Sequence, residues 1–406
     1  MTGIVFDPLS EAFAQDPYPT YAALREHGPW YWEAGEMWLL SRFDDVFAAA
    51  VNPNMVRTLD GLKTPEEIND ERRRANWHDM PHHQRFVQFS LLDSDGEVHR
   101  RLRRRLFGEF THARIQALRP DIERHVDHLI EQAAGRGTFD FIEDFAAHVP
   151  GHIIGRLLGV PDEDCAILRT WSENIVQYFD IDRSDARKAL AEDTTAEFYR
   201  YLLALSDARR KAPKDDLISR LVADWDAGEL DEDQCISTCM LILMAGHGST
   251  IDVLGSGLHA LLRFPDELQR LRNQPALMPA AVQEMFRFES PLPFFHRYAA
   301  EAIEINGFTL GKGSKFGLLY GCANRDELSI QRAGRFDVGR VPNRHLAFGG
   351  GAHLCLGNHL ARLDMEIIFT RLLDRFASIA LEDVPTYKTG LAVRGPKALR
   401  VAVRAE

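Results

Sequence analysis

The stretch Phe348-Gly349-Gly350-Gly351-Ala352-His353-Leu354-Cys355-Leu356-Gly357-Asn358-His359-Leu360-Ala361-Arg362 carries the decisive reading. Three successive glycines permit backbone conformations closed to other residues and let a bulky group approach the chain. Past Cys355, the apolar residues Leu360, Leu363, Ile367 and Leu372 recur at helical spacing, so the cysteine sits where a helix begins. Unpaired N–H groups and the positive dipole end there favour a thiolate. One thiolate on a flat loop suits a metal with a single axial protein ligand. Two other readings stand beside it. Free cysteines are often buried structural residues. A nucleophilic thiol could use His353 or His359 as its base, although such partners usually come from distant segments.

The chain around this loop has 406 residues and a net charge of −12, from 48 basic and 60 acidic side chains. That acidity argues against a general nucleic-acid binder, which shows a basic footprint. Length alone suggests two or three domains at about 150 residues each. Five thinly spread cysteines fit a reducing compartment better than a disulfide framework. Met1 to Asp16 carries no signal-peptide pattern, and the longest apolar run, Cys239 to Gly246, falls short of the ~20 residues that span a bilayer. The expectation is a cytoplasmic protein with no membrane or nucleic-acid partner.

Most of the chain reads as helix. Ile122, Val126, Leu129 and Ile130 mark an amphipathic segment from Pro120 to Ala134. Residues 215–226 and 264–273 are shorter candidates. Asp231 to Arg263 reads as one long interior helix, apolar nearly all round between Cys239 and Ala245. Period-two signals are few: Trp38 to Leu40, Ala302 to Leu310 with Asn306-Gly307 as its turn, and Leu399 to Val403. Loops are expected at 57–92, 207–216 and 324–347. The fold class is mainly α with a minor antiparallel β part.

Residues 348–357 resemble the haem-binding loop of the cytochrome P450 superfamily, Phe-Gly-x-Gly-x-His/Arg-x-Cys-x-Gly, at every defining position. The resemblance implies that Cys355 is the thiolate ligand of haem b (iron protoporphyrin IX). By the same match Phe348, Gly349 and Gly357 shape the haem loop, and His353 contacts a propionate. His99 and Arg103, in His99-Arg100-Arg101-Leu102-Arg103, and Arg297, in His296-Arg297-Tyr298-Ala299, match further propionate partners. Glu284-Met285-Phe286-Arg287 matches the Glu-x-x-Arg helix motif, and Arg335 matches the arginine that completes its buried network. Similarity runs from about residue 15 to 403 and looks like the soluble bacterial branch. It implies one large haem-enclosing domain, 1–406, in place of two or three.

The central helix departs from the pattern. Ala245-Gly246-His247-Gly248-Ser249-Thr250 aligns with Ala/Gly-Gly-x-Asp/Glu-Thr-Thr/Ser, so Gly248 replaces the acid and Ser249 the first alcohol. Ala245 and Gly246 are implied haem neighbours. Each glycine costs roughly 1 kcal/mol in a helix interior, which suggests space for a ligand or a loosened helix. One reading makes Ser249, with Thr250 and His247, the proton relay. Peroxide use, substrate-assisted delivery and simple drift with water filling the site are the others.

Phe86, Phe89, Leu243, Met244, Phe294, Phe295 and Leu391 are the implied substrate-pocket residues, pointing to a hydrophobic, even aromatic, substrate. His78, His82 and His83 are expected in solvent, with contact to a polar or anionic substrate group as the other reading, and Cys235 with Cys239 as helix packing. Arg100, Arg101, Arg104 and Arg105 form a basic strip for an acidic ferredoxin or flavodoxin-type electron donor. The implied activity is monooxygenation of a small or medium organic molecule. The rivals are atypical oxidation (coupling, desaturation, peroxide-driven chemistry) and a non-catalytic haem sensor.

Overall fold

Local signals set most helix ends. The computed structural model describes residues 3–305 and 307–405. Helix α1 (Pro65–Arg74) and helix α2 (Pro81–Phe89) lie where the charge-rich composition suggested loop. Thr64 and Glu67 form a reciprocal capping box on α1, Pro65 opens it, and Arg72, Arg73 and Arg74 close it against the dipole. A polar composition hid a helix whose ends are fully specified. Helix α3 (Gly96–Phe107) buries His99, Leu102 and Leu106 and turns its arginines outward.

Helix α4 (Arg119–Ala134) matches its amphipathic pattern, and α5 (Val149–Leu158) follows. Helix α6 (Asp185–Lys211), capped by Ser184, runs through the first half of the expected 207–216 connector. Its Arg209 is buried and bonds Asp216 at 2.6 Å, which fastens the turn into α7 (Leu217–Asp226). Helix α8 (Glu232–Arg263) is the long interior helix, continuous through its glycines. Among the described residues it alone is long and apolar enough to cross a membrane, and 72% of its most apolar window is buried in the protein. Helices α9 (Pro265–Asn273), α10 (Met278–Phe288) and α11 (Asn358–Arg375) complete the set used below.

The chain forms two compact units. One comprises the segments up to Met55, Phe110–Val149 and from Ser249 onward. Its sheet is mixed: Met37–Leu40 runs parallel to Lys315–Leu318, which pairs antiparallel with Phe295–Ala299. Leu40, Phe43, Val46, Phe316, Leu318 and Tyr320 pack as the core beneath that sheet, joined by Phe295. Phe295 is half-buried and packs against that core from its strand. A second sheet joins Thr138–Asp140, Arg400–Ala405 and Phe376–Leu381. The Ile303–Ile305 and Phe308–Leu310 hairpin is present, though Asn306 of its expected turn lies outside the described residues. Residues 324–347 are irregular, as expected.

The other unit holds Val56–Glu109 and Pro150–Gly248. Here His83 corrects the solvent expectation. Its ring is fully buried among Trp77, Phe86, Tyr178 and Phe179, with centroids 5.0 to 6.2 Å away. Burial lowers its pKa to about 3, so the ring is neutral. His82 instead pairs with Glu192 at 2.6 Å, and the same carboxylate accepts the backbone N–H groups of both histidines. Cys235 and Cys239 are buried packing residues on α8.

Asp364 on α11 is a cost the fold carries. Its side chain is buried, Oδ1 has no hydrogen-bond partner, and desolvation raises its pKa well above the carboxylate range. The native state therefore keeps a proton that the unfolded chain releases. Its contribution is fully present below the ordinary carboxylate pKa and is lost as pH rises through the raised one. Asp364→Asn is expected to raise the urea midpoint at pH 8 and to leave it nearly unchanged at pH 4. An equal shift at both pH values would show that the proton is not the cause.

Candidate functional site

Cys355 sits on a loop that its own backbone holds shut. Cys355 N–H donates to Phe348 O at 2.9 Å, Leu354 N–H to Gly351 O at 3.2 Å, and Asn358 Nδ2 donates to Cys355 O at 2.7 Å. Gly349 and Gly351 have φ of 68° and 65°, the left-handed region that glycine adopts without strain. A Cβ on Gly351 would also stand 2.6 Å from Ala50 O. Helix α11 starts three residues after the cysteine, capped by Gly357.

Behind the loop, Phe348 lies between the Phe286 ring (4.5 Å) and the Arg362 guanidinium (4.3 Å). Gln283 accepts from Arg362 Nε at 3.1 Å and bonds His345 Nε2 at 3.0 Å. Burial lowers the Arg362 pKa while the Cys355 charge opposes that shift, so this cation sits within electrostatic reach of the sulfur. His359 meets His112 edge to face, with ring centroids 5.6 Å apart.

The Glu-x-x-Arg pair is entirely buried. Arg287 meets Glu284 at 2.7 and 2.8 Å and donates to the carbonyls of Asn324, Ala333 and Arg335. Arg335 was expected as the third member through its side chain. That side chain is 60% exposed and pairs with Glu267 at 3.7 Å instead. Arg340 closes the network, with Nε 3.0 Å from Glu284 Oε2, and Asn343 adds a bond of the same length. In the sequence Ala333-Gly334 stands before Arg335 where the family pattern has proline and an acid, and that misfit is the available signal.

Arg297 is 3% exposed on its strand and donates to His296 O at 2.9 Å. His353 closes the short 3-10 turn Gly351–His353. In the other unit, His99 is buried on α3 and Arg103 half-buried one turn on. The basic strip is partly spent. Arg105 pairs with Asp224 at 2.9 Å and with Glu229, Arg101 bonds Gln234 at 3.2 Å, and Arg100 lies on Glu97. Arg104 is exposed, beside a Phe107 that is 61% exposed.

On α8, Ile154 of α5 fills the space at Gly246, where a Cβ would come within 2.9 Å. That glycine makes room for α5 to pack on α8. A Cβ at Gly248 would meet nothing within 4 Å. His247 is buried, its Nδ1 bonds Leu243 O at 3.1 Å, and its Nε2 faces Gly151 without a partner. Burial lowers its pKa, so the ring stays neutral. The ring packs against Gly151 of α5. Among the pocket residues, Phe86, Leu243, Met244 and Leu391 are buried, whereas Phe89 and Phe294 are half-buried.

These residues fit haem. Cys355 offers one soft sulfur on an exposed loop. Among the described residues no group of three His, Cys, Asp or Glu side chains could hold a metal in another way. Ala245 is exposed in the middle of an otherwise buried helix, and the open space at Gly248 lies on the next turn.

Comparison with known proteins agrees. A family model described as Cytochrome P450 matches residues 173–401. The biotin biosynthesis cytochrome P450 of Bacillus subtilis (strain 168) is 34% identical over 94% of both chains. Cytochrome P450 monooxygenase PikC of Streptomyces venezuelae is 33% identical over 98% of this chain and 93% of its own. The crystal structure of myxobacterial cytochrome P450 CYP267B1 in complex with myristic acid superposes with a TM-score of 0.90 at 32% identity, covering 98% and 99% of the two chains. P450BioI, crystallised with acyl carrier protein bearing hexadec-9Z-enoic acid, gives 0.89 at 30% identity over 97% and 100%. The glycine loop, its cysteine and the buried Glu284–Arg287 pair thus belong to a cytochrome P450, and this chain is a haem b-binding, haem-thiolate monooxygenase of that family.

Proposed function

We propose that residues 1–406 act as one catalytic domain that oxygenates a hydrophobic organic substrate with electrons from a separate ferredoxin-type protein. The observation that carries this reading is the backbone-locked Cys355 loop. When bound, haem supplies dioxygen activation, its iron enriched in electron density by the Cys355 thiolate. His353 and Arg297, both in the unit that carries Cys355, would offer hydrogen-bonding and cationic groups to the propionates. Ser249 Oγ and Thr250 Oγ1 hold and pass protons on α8.

The relatives named above bring substrate chemistry to the proposal, since one is crystallised with a fatty acid and another with a fatty acyl carrier protein. Phe86, Phe89, Leu243 and Met244, all in one unit, would give such a molecule an apolar wall. A spin-state screen of fatty acids, carrier-bound acyl chains, macrolactones and small aromatics is the test. A high-spin shift followed by oxygenated product in a reconstituted assay supports the proposal. Binding without product would leave only the sensor reading. Ser249→Ala is expected to divert electrons from product to peroxide, and unchanged coupling would remove Ser249 from the relay.

Docking of the donor is assigned to the solvent-facing Arg100 and Arg104, with Phe107 beside them. Arg105 is neutralised internally and contributes little. Arg100→Glu with Arg104→Glu should slow reduction by an acidic ferredoxin by about tenfold at low salt, the gap narrowing as salt screens the charges. A reduction rate indifferent to ionic strength would exclude this surface.

A further inference from the structure

Helix α8 carries a polar stripe that its apolar surroundings do not account for. Ser249, Asp252, Ser256 and His259 follow each other at spacings of three, four and three, so they share one helix face. Asp252 is 1% exposed, Ser256 0% and His259 6%, while Val253, Leu254, Leu258 and Leu261 around them are buried hydrophobics. A buried carboxylate is costly unless a cation and shaped space meet it. Both are present. Lys388 Nζ lies 2.7 Å from Asp252 Oδ1. Lys388 itself is 37% exposed, so one ammonium connects solvent to an interior carboxylate.

The segment that brings Lys388 is built around that contact. Lys388 N–H donates to Gly395 O at 3.0 Å and Lys397 N–H to Thr386 O at 2.8 Å, which closes a short hairpin against α8. A Cβ at Gly395 would stand 2.2 Å from Asp252 Oδ1, so only glycine leaves room for the carboxylate. Farther along the stripe, Tyr387 OH bonds His259 Nδ1 at 2.7 Å. The charged groups near that end are Arg263, Glu289 and Arg394. One turn before Asp252, Gly248 brings no titratable group to the helix.

We propose that Asp252, charged through Lys388, is a positioning residue that holds and replenishes the proton passed on by the Ser249 hydroxyl one turn earlier. This rests on the monooxygenase reading. Oxygenation of RH consumes one dioxygen, two electrons from the donor protein and two protons, and yields ROH and water. If the protons arrive late, the same two electrons and two solvent protons leave as hydrogen peroxide. Hydrogen peroxide added directly brings both electrons and both protons, so RH and H2O2 give ROH and water without the relay. The Lys388–Asp252 route connects the solvent to the helix face where Ser249 stands.

The test uses the haem-loaded full chain and the compound with the largest spin-state shift in the screen. Asp252→Asn is expected to raise peroxide released per electron pair by about tenfold, less than the ~10²–10⁴-fold of a group that itself transfers the proton, because Asp252 acts through Ser249. Lys388→Met should move the same ratio in the same direction. Peroxide-supported turnover should fall far less than donor-supported turnover, and Gly248→Asp in the Asp252→Asn background should restore coupling. A readout without turnover is infrared difference spectroscopy, where a carboxylate band of the wild-type protein should vanish in Asp252→Asn. Wild-type coupling in Asp252→Asn, a parallel loss of both turnover routes, or the absence of that band would overturn the proposal. Ser249→Ala separates the two levels. If it leaks peroxide and Asp252→Asn does not, only this inference fails; if it stays coupled, the Ser249 relay itself fails.

Discussion

Exchange of Cys355 for serine will erase the red-shifted band of the reduced, carbon-monoxide-treated protein and lower monooxygenation by about a thousandfold or more, as expected for a group that acts on the reacting centre and not on substrate binding. A serine oxygen is hard and seldom deprotonated, so it cannot replace a soft thiolate that feeds electron density to iron. The fold should survive the change. The loop is closed by the backbone N–H and carbonyl of residue 355, by Gly349 and Gly351, and by Asn358, none of which uses the sulfur. Circular dichroism and the urea midpoint should therefore stay close to wild type while the spectral signature is lost. Retention of the red-shifted band in Cys355→Ser would reject the assignment of the ligand.

Loss of the Glu284–Arg287 pair should be the most destabilising single change outside the core. Both side chains are 0% exposed. Glu284 accepts from Arg287, Arg340, Asn343 and Asp337 N–H, and Arg287 also holds three carbonyls of the irregular segment 324–347. Removing one partner leaves a buried charge uncompensated, at about 3–5 kcal/mol. Arg287→Ala and Glu284→Gln should each lower the urea midpoint accordingly and reduce haem retention, because the irregular segment leads directly into the Cys355 loop. Arg287→Lys should rescue little, since a point charge cannot reproduce the planar fork that makes these bonds. Glu284→Gln combined with Arg287→Met should cost less than the sum of the single changes. Arg335→Ala, at an exposed side chain, should shift stability by less than about 0.5 kcal/mol. Equal losses for Arg335→Ala and Arg340→Ala would reinstate Arg335.

The sequence by itself determined the features whose causes lie within one or two turns of chain. The Phe348–Gly357 loop, the long helix over Asp231–Arg263, the amphipathic helix ending at Ala134 and the Glu284–Arg287 spacing all follow from local pattern. The caps at Thr64, Ser184 and Asp216 are equally local, and α1 is specified by its ends although its charge-rich composition suggests a loop. Only the tertiary structure decided which partner each charged or small residue takes. Arg340 displaces Arg335 at Glu284, Arg105 is spent on Asp224 and Glu229, Ile154 occupies the gap at Gly246, and Lys388 reaches Asp252 across 136 positions. The physical reason is the same in each case. A cap or a heptad-like stripe is fixed by bonds between residues already neighbours in the chain. A buried ion pair or a filled glycine notch instead depends on how distant segments pack, and no local spacing encodes that choice.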